Sequence, residues 1–405
     1  MTERPAPWRR RDFRIAIAAG FINNTGDWVL LVALPVHVFV ETGSGSSTAF
    51  LFVAQLLAGA VMGPIGGTLV DRWDLRRSLI GTNLAQAVAV LPLLAVTPDR
   101  IWPAYGVMAA QSLLNQINNP ANVVLVPRVV DPDELTAANA ALGGAESAAR
   151  LIGAPLGGVL VAWGGLAPVV ILDAISFLLV AAIVPLLRAD TRPREPEPGD
   201  DRGLRAGLRA VRDNDPLSAL LSIHAFAALA QGAFVVLFVV FVIETLGDDG
   251  SGLGVIRGTM AIGALGGAAV IARIGDRVRS TTLFGVGLVG MGVVSMLFWH
   301  APALTTALWV YIVLFASSGL PGSALSVGLF TTLQRACPAE SLGRATGLLN
   351  AGEALGITSG AIVAGLVVDR VALTTLLTTQ AGIYLMAGLA ALVLVHPPDG
   401  DIRRP

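Results

Sequence analysis

The sequence contains no lysine, a single cysteine and few charged residues. All 27 basic residues are arginine and charged residues make up 14% of the chain, whereas a soluble domain has about 25%. With Cys337 as the only cysteine, an intramolecular disulfide is excluded. The phosphate-binding loop of ATP-driven proteins requires a lysine, so ATP is excluded as the energy source. Histidines do not cluster with Cys337 at metal-ligand spacing, and we expect no metal, no cofactor and no enzymatic activity.

Hydrophobic residues, which make up 54% of the chain, occur in long uninterrupted runs. An apolar run of about 20 residues has the length of a membrane-spanning helix. The runs lack the alternating pattern of membrane β-strands. We therefore predict an all-α membrane protein with twelve transmembrane helices, at 13–40, 47–70, 78–97, 101–125, 136–163, 166–187, 216–244, 252–273, 280–299, 303–331, 344–368 and 371–395.

Arginine placement predicts the orientation of these helices. Arginines concentrate before the first predicted helix and after the second, sixth and eighth. Loops that retain positive charge face the cytoplasm, so both termini are expected there. The longest polar segment, 188–215, is predicted to be a cytoplasmic linker. Arginines at helical spacing in 204–212 indicate either an amphipathic helix on the membrane surface or a solvated start of the seventh helix.

The linker separates two segments, 1–187 and 216–405, that resemble each other. A shift of 207 residues carries Glu146 onto Glu353 and Gly153 onto Gly360. Small residues at such positions let membrane helices pack closely. Parallel repeats of this kind form one of the known transporter plans. We predict two pseudo-symmetric six-helix halves.

A polar motif at 66–77 lies between the second and third predicted helices, and a weaker copy follows the eighth. A glycine allows close helix approach, and a helix N-terminus attracts an aspartate. The arginines are expected to pair with cytoplasmic carboxylates. The motif predicts a cytoplasmic gate, the alternative being that its arginines only fix orientation. The gate residues are Gly67, Asp71, Arg72, Arg76 and Arg77, with Asp276 and Arg277 in the copy.

Residues 67–72, Gly-Thr-Leu-Val-Asp-Arg, resemble the loop motif of the major facilitator superfamily. Residues 119–121, 25–28 and 173–177 are similar to its drug- and siderophore-exporting branch, and 153–158 to its antiporter motif. Asp74 stands where the family has glycine, and the helix-four arginine of many antiporters is missing. The resemblance covers the whole chain. It implies the major facilitator fold, a cavity lined by helices one, four, seven and ten, and a bacterial plasma-membrane location.

Charged residues inside predicted helices are the strongest functional candidates, because a charge in the bilayer is costly. Asp27 lies in the first helix and Glu353 in the eleventh. Glu146 and Arg150 lie four residues apart on one face of the fifth. We predict that at least one of the three carboxylates carries a coupled proton. Alternatively, Asp27 is structural and Glu146 and Arg150 form a permanent pair. Asp173 in the sixth helix is expected to be structural, because the resemblance places that helix at the periphery.

Polar and aromatic side chains on the cavity helices predict the substrate. The candidate cavity residues are Asn23, Asn24, Gln111, Asn115, Asn119, His224 and Gln231. Their amides either bind substrate or fasten neighbouring helices. The surrounding aromatic residues and the few charges favour a bulky amphipathic molecule. The aromatic residues are Phe21, Trp28, Phe226, Phe234, Phe238 and Phe315. A polar anion fits poorly, because it would need cationic partners.

The sequence therefore predicts proton-coupled efflux of drug-like or secondary-metabolite molecules by alternating access. One alternative is an importer or facilitator of a nutrient or siderophore. Another is a non-transporting sensor or assembly subunit, since fold does not fix function. We expect a monomer whose partners are its substrate, protons and the lipid bilayer, with no nucleic acid.

The two copies of the polar motif are unequal, which makes a first prediction. Asp71→Asn should impair transport more than Asp276→Asn, because only the first copy keeps the full Gly67, Asp71 and Arg72 spacing. Transport rates of the two variants at matched expression test this. Equal losses would contradict the asymmetry.

Overall fold

The computed structural model describes residues 7–42, 45–192, 211–212, 214–246, 251–274, 277–339, 341–368 and 370–395. Regular structure within these ranges is helical apart from one isolated bridge between Thr97 and Arg100. The predicted all-α class is thereby confirmed. The predicted amphipathic helix at 204–212 lies largely outside the described residues.

The chain forms two compact units, of which unit 1 comprises Met1–Glu134, Ala148–Leu208 and Pro338–Leu348. Helix α1 (Arg11–Thr42) packs against α6 (Leu166–Ile183), and α6 also packs against α3 (Leu75–Ala89). Helix α2 (Gly45–Arg72) packs along α4 (Trp102–Val129). Helix α5 (Leu135–Gly164) follows, and its residues from Ala148 onward belong to this unit.

Unit 2 comprises Leu135–Ser147, Arg209–Cys337 and Leu349–Pro405. Its helices are α7 (Asp215–Val240), α8 (Ser251–Ile274), α9 (Ser280–His300), α10 (Leu308–Ser317), α11 (Gly319–Ala336) and α13 (Leu373–Leu394). Helix α12 (Leu342–Val367) is shared, since its residues up to Leu348 belong to unit 1 and the rest to unit 2. Helix α9 packs against both α11 and α13. The division of the chain into halves that end at residue 187 and begin again at residue 216 stays a prediction.

The helix lengths agree with the predicted membrane spans. In the described ranges, nine helical segments are long and apolar enough to cross a membrane, with α10 and α11 together counted as Leu308–Ala336. The other three predicted spans coincide with α2, α4 and α8. Amides such as Gln111 and Asn115 lower the hydropathy of α4. The helices are consistent with twelve crossings.

Each unit has its own apolar core. In unit 1, Val29 and Leu34 of α1 cluster with Leu51 and Val170. In unit 2 the core is aromatic, with fully buried Phe238 and Tyr311 at its centre. The two cores differ in composition, since the core of unit 1 is built from aliphatic side chains and methionine and that of unit 2 from aromatic rings as well.

Glycine permits a close helix approach in unit 2. A Cβ atom on Gly328 of α11 would lie 2.7 Å from the Ser280 carbonyl oxygen and 2.8 Å from the Phe284 Cα, both on α9. Backbone atoms cannot rotate away as a side-chain end can. The α9–α11 contact therefore requires a residue without a side chain at this position.

A substitution at this crossing tests the packing. Gly328→Ala should destabilise the protein by about 1–3 kcal/mol, because the added methyl group overpacks a backbone contact. Thermal unfolding in detergent measures the loss. Gly382→Ala on α13 is the matched control, since no atom lies within 4 Å of its added Cβ. Equal melting temperatures for both variants would refute the close approach.

Candidate functional site

Asp71 binds the first turn of α12, as its position in the motif predicts. Its Oδ1 accepts a hydrogen bond from the Gly343 N–H at 2.9 Å, and its Oδ2 accepts from the Arg344 N–H at 3.0 Å and Nε at 2.9 Å. The side chains of Asp71 and Arg344 are only 7% and 5% exposed. The first N–H groups of a helix lack intrahelical partners and carry partial positive charge. A carboxylate placed there accepts their hydrogen bonds and also balances the charge.

Gly67 makes room for this contact. A Cβ atom at Gly67 would lie 2.9 Å from the Gly343 carbonyl carbon and 3.1 Å from the Gly347 Cα. Its missing side chain therefore lets α2 approach the start of α12, one turn before Asp71. These contacts match the close helix approach expected of Gly67 and the helix N-terminus contact expected of Asp71. Their role as a cytoplasmic gate stays a prediction.

One arginine of the motif has partners other than those predicted. Arg76 was expected to pair with a carboxylate, but its Nη2 donates to the Leu187 carbonyl at 2.6 Å and the Ala189 carbonyl at 3.4 Å. The segment after α6 presents several carbonyl oxygens, and a guanidinium has five N–H donors, so it can bind more than one of them. Arg72, Arg77 and Arg277 are exposed, and Asp276 lies outside the described residues.

Asp27 and a second carboxylate lie close together in unit 1. Asn23 Nδ2 donates to Asp27 Oδ2 at 2.9 Å, which joins two predicted site residues one turn apart on α1. Asp173 of α6 is completely buried against Gly26, where a Cβ atom would lie 2.6 Å from Asp173 Oδ1. Neither Asp173 oxygen has a hydrogen-bond partner among the residues described. Asp173 also interacts electrostatically with Asp27.

Asp173 was expected to be structural, because the resemblance places helix six at the periphery. Its lack of described hydrogen bonds differs from an ordinary structural carboxylate, which is fixed by donors. The available sequence signal was a lone acidic residue within an apolar run of 166–187. Such a residue is a functional candidate by default in a membrane helix.

Arg150 stacks on α1. Its guanidinium carbon lies 4.4 Å from the centroid of the Trp28 ring, which is a cation–π contact. Gly153 allows the approach, since its Cβ atom would lie 2.8 Å from that of Trp28. Trp28 was predicted only as an aromatic neighbour of the cavity. The pairing of Glu146 with Arg150 stays a prediction.

Three predicted residues of unit 2 meet in one polar cluster. Glu353 Oε2 lies 3.5 Å from His224 Nε2, and Glu353 also interacts electrostatically with Tyr384. The Tyr384 hydroxyl donates to Gln231 Oε1 at 2.8 Å. We call Glu353, His224, Tyr384 and Gln231 the acid–base cluster. Tyr384 was missed, because α13 is not among the helices expected to line the cavity.

The amides of α4 are divided in their roles. Gln111 Nε2 donates to the Gln86 carbonyl, and Gln86 Nε2 donates to Asn115 Oδ1, each at 3.1 Å. Gln111 and Asn115 therefore fasten α4 to α3, which is the second of the two alternatives considered for them. Asn119 is exposed and Asn24 is half-buried. A substrate role for these two stays a prediction.

A pocket in unit 2 adjoins the acid–base cluster. It has about 480 Å³ of empty volume and contacts α7, α8, α9, α10 and α13. We call it the aromatic pocket. Its lining residues are Gln231, Phe234, Met260, Met291, Val294, Ser295, Phe298, Trp299, Phe315, Ser318, Gln380 and Tyr384. Gln231, Phe234 and Phe315 were predicted near a cavity, whereas the residues of α8, α9 and α13 were not.

Comparison with known families agrees with this architecture. The family model described as "Major Facilitator Superfamily" matches residues 16–361 and 220–405. The chain belongs to the Major Facilitator Superfamily. It is therefore a multi-pass membrane transporter and not an enzyme.

Members of the superfamily similar to this chain include proteins named for efflux. Macrolide efflux protein A of Streptococcus pyogenes is 23% identical over 385 residues, covering 93% of each chain. Enterobactin exporter EntS of Escherichia coli O1:K1 / APEC is 24% identical over 401 residues, covering 95% of this chain and 92% of its own.

A solved structure shares the fold. The crystal structure of a bacterial homologue of the iron transporter ferroportin, outward-facing with soaked iron, matches with a TM-score of 0.76 and 19% identity. The match covers 95% of this chain and 98% of that one.

A double-mutant cycle tests the Asp71 contact. Arg344→Ala should destabilise this superfamily member by about 3 kcal/mol, because it leaves a buried carboxylate without its charged partner. Adding Asp71→Asn should cost less than the sum of the two single effects, since the residues share one interaction. Melting temperatures of the four proteins in detergent measure the coupling.

The matched control cycle combines Asp71→Asn with Arg10→Gln. Arg10 pairs with Glu134 at 2.6 Å and makes no contact with Asp71 among the described interactions. These two effects should add. An additive result for Asp71 and Arg344 would contradict their contact.

Proposed function

We propose that the chain is a proton-coupled exporter of uncharged or weakly charged amphipathic molecules, of drug-like or secondary-metabolite type, working by alternating access. The observation that carries this proposal is the acid–base cluster of Glu353, His224, Tyr384 and Gln231. In this cluster two groups that can bind protons, Glu353 and His224, lie beside Tyr384, which lines the aromatic pocket. A proton and a substrate can therefore influence each other across a few side chains.

The proton chemistry rests on the contact between Glu353 and His224. At 3.5 Å the two side chains attract each other when the carboxylate is charged and the imidazole is protonated. Protonating Glu353 or deprotonating His224 removes that attraction. A change in proton binding then alters the force holding α12 against α7, which is what coupling to a proton gradient requires.

Asp27 is the corresponding candidate in unit 1. Asn23 orients one of its oxygens, and Asp173 lies near it in α6. Glu146 remains a third candidate, with Arg150 one turn further along α5. Because ionised side chains are costly in a bilayer, carboxylates within these apolar helices are better explained by function than by packing.

Export is favoured over import by the relatives. Macrolide efflux protein A and Enterobactin exporter EntS each cover more than nine tenths of this chain, and both names state outward movement. The Asp71 contact supports a gating role for α2 and the start of α12, closed on the cytoplasmic side and opened during the cycle. This role requires both termini and the linker 188–215 to be cytoplasmic. We further propose that the monomer is the unit that transports.

Accumulation in cells tests the direction and the energy source. Cells with and without the protein are given a radiolabelled macrolide first and then a panel of amphipathic compounds. The exporter should lower accumulation of at least one compound, and an uncoupler should reverse the difference. Higher accumulation would identify an importer. No difference for any compound would favour a non-transporting role.

Neutral variants test the proton carriers in the same assay. Asp27→Asn, Glu146→Gln and Glu353→Gln each remove one ionisable group while keeping the side-chain shape. At least one should abolish most of the uncoupler-sensitive difference. Asp99→Asn is the control, because Asp99 is exposed in the connection between α3 and α4. If all three variants export like the wild type, none of these carboxylates carries the proton.

A further inference from the structure

The aromatic pocket has the construction of a ligand site. Phe234 of α7 stacks with Phe315 of α10 at a centroid distance of 5.8 Å and lies 5.9 Å from the Trp299 ring of α9. Ligand pockets combine such apolar walls with a few precisely placed polar groups. The lining of the aromatic pocket has this mixture, because phenylalanines and methionines lie beside Gln231, Gln380 and Tyr384.

Two methionines make one wall adaptable. A Cβ atom at Gly322 would lie 3.4 Å from the Met260 Cε and 3.9 Å from the Met291 Sδ, so both side chains converge on the same glycine. Methionine is flexible and polarisable, and it makes favourable contacts with aromatic rings. This wall can follow the outline of different rings.

The polar groups of the pocket are of two kinds. Gln380 is engaged at both ends of its amide, because its Oε1 accepts from Trp299 Nε1 at 2.9 Å and its Nε2 donates to the Ala230 carbonyl at 3.2 Å. Gln231 is engaged only through its oxygen, which accepts from Tyr384. Within the described part of the chain, its exposed side-chain N–H groups have no acceptor. The pocket therefore offers the Gln231 amide as an oriented donor.

From these observations we infer that the aromatic pocket binds an uncharged aromatic ring carrying a hydrogen-bond acceptor, with the acceptor held by the Gln231 amide. The residues described as lining the pocket are all apolar or neutral polar, so a charged ring would lose its hydration without gaining a counter-ion. The inference rests on the proposed export function, because it assigns this site to the ring portion of an exported molecule.

Binding at this site reaches the acid–base cluster directly. A ligand acceptor on the Gln231 amide nitrogen fixes the Gln231 oxygen, which in turn holds the Tyr384 hydroxyl near Glu353. The pocket thus gives the proposed substrate a physical connection to a proposed proton carrier. Removing the Gln231 amide should therefore weaken binding of the ring and, at the same time, reduce the influence of the bound ring on Glu353.

Photolabelling with benzophenone tests the site without requiring transport. Benzophenone is an uncharged diaryl ketone, and its excited carbonyl reacts readily with nearby methionine side chains. Purified protein is irradiated with it, and labelled peptides are mapped by mass spectrometry. Met260 and Met291 should carry the label. Met386, 57% exposed on α13, reports simple partitioning into detergent or lipid.

Matched variants separate a site from partitioning. Ser295→Phe fills the pocket from α9 and should lower labelling of Met260 and Met291 by about tenfold. Val293→Phe is the control, because Val293 is 45% exposed on the same helix and does not line the pocket. Gln231→Leu removes the donor and should lower labelling by about three- to tenfold. Size-exclusion profiles verify that each variant is folded.

Labelling dominated by Met386, or unchanged in folded Ser295→Phe and Gln231→Leu proteins, would overturn the inference. Those results would leave the export proposal standing if the wild type still lowers accumulation in cells. Specific labelling of a protein that exports no compound would instead support the pocket and refute the export function.

Discussion

The cost of placing charge in an apolar membrane governs the arrangement of polar residues in this chain. A buried ionised group is tolerated only where partners inside the protein replace water. Asp71 meets this requirement with three donors from the start of α12. Gly67 makes the contact possible by letting the helices approach. The charge of Asp71 therefore determines which helix ends meet, and the packing around it follows.

The carboxylates deeper in the helices are less completely partnered. Asp27 has one amide donor, Glu353 has a histidine at 3.5 Å, and Asp173 has no hydrogen-bond donor in the described ranges. Fully satisfied Asp71 suits a contact that holds a structure together. Carboxylates with one partner or none suit groups whose charge changes during a cycle. This contrast separates the proposed gate from the proposed proton carriers on physical grounds.

Much of this architecture follows from the sequence. Apolar length alone locates the helices, because every crossing must satisfy its own backbone hydrogen bonds. The contacts of Gly67 and Asp71 could also be expected from the sequence, because a glycine permits close helix approach and an aspartate at a helix end suits the N-terminus of another helix. The partner of Asp71 does not follow, because Gly343 lies 272 residues away. Helix periodicity does not say which faces meet.

The same limit explains where the contacts at the candidate site differ from those expected. Gln111 and Asn115 were predicted to line a substrate cavity, but Gln86 of the neighbouring α3 accepts a hydrogen bond from Gln111 through its carbonyl and donates one to Asn115. Trp299 and Tyr384 line the aromatic pocket from α9 and α13, and nothing in the sequence indicates that these two helices contribute to a cavity. Arg76 finds carbonyls rather than a carboxylate. In each case the outcome depends on a neighbour chosen by tertiary packing.

Substrate-driven proton movement in liposomes tests the central claim most directly. Purified protein is reconstituted with a pH-sensitive dye inside, and a gradient of a compound that the cells exclude is applied without any initial pH difference. The account predicts that protons move opposite to the compound, and that the signal disappears when the compound gradient is removed. Compound movement without any proton movement would contradict proton-coupled export by this chain.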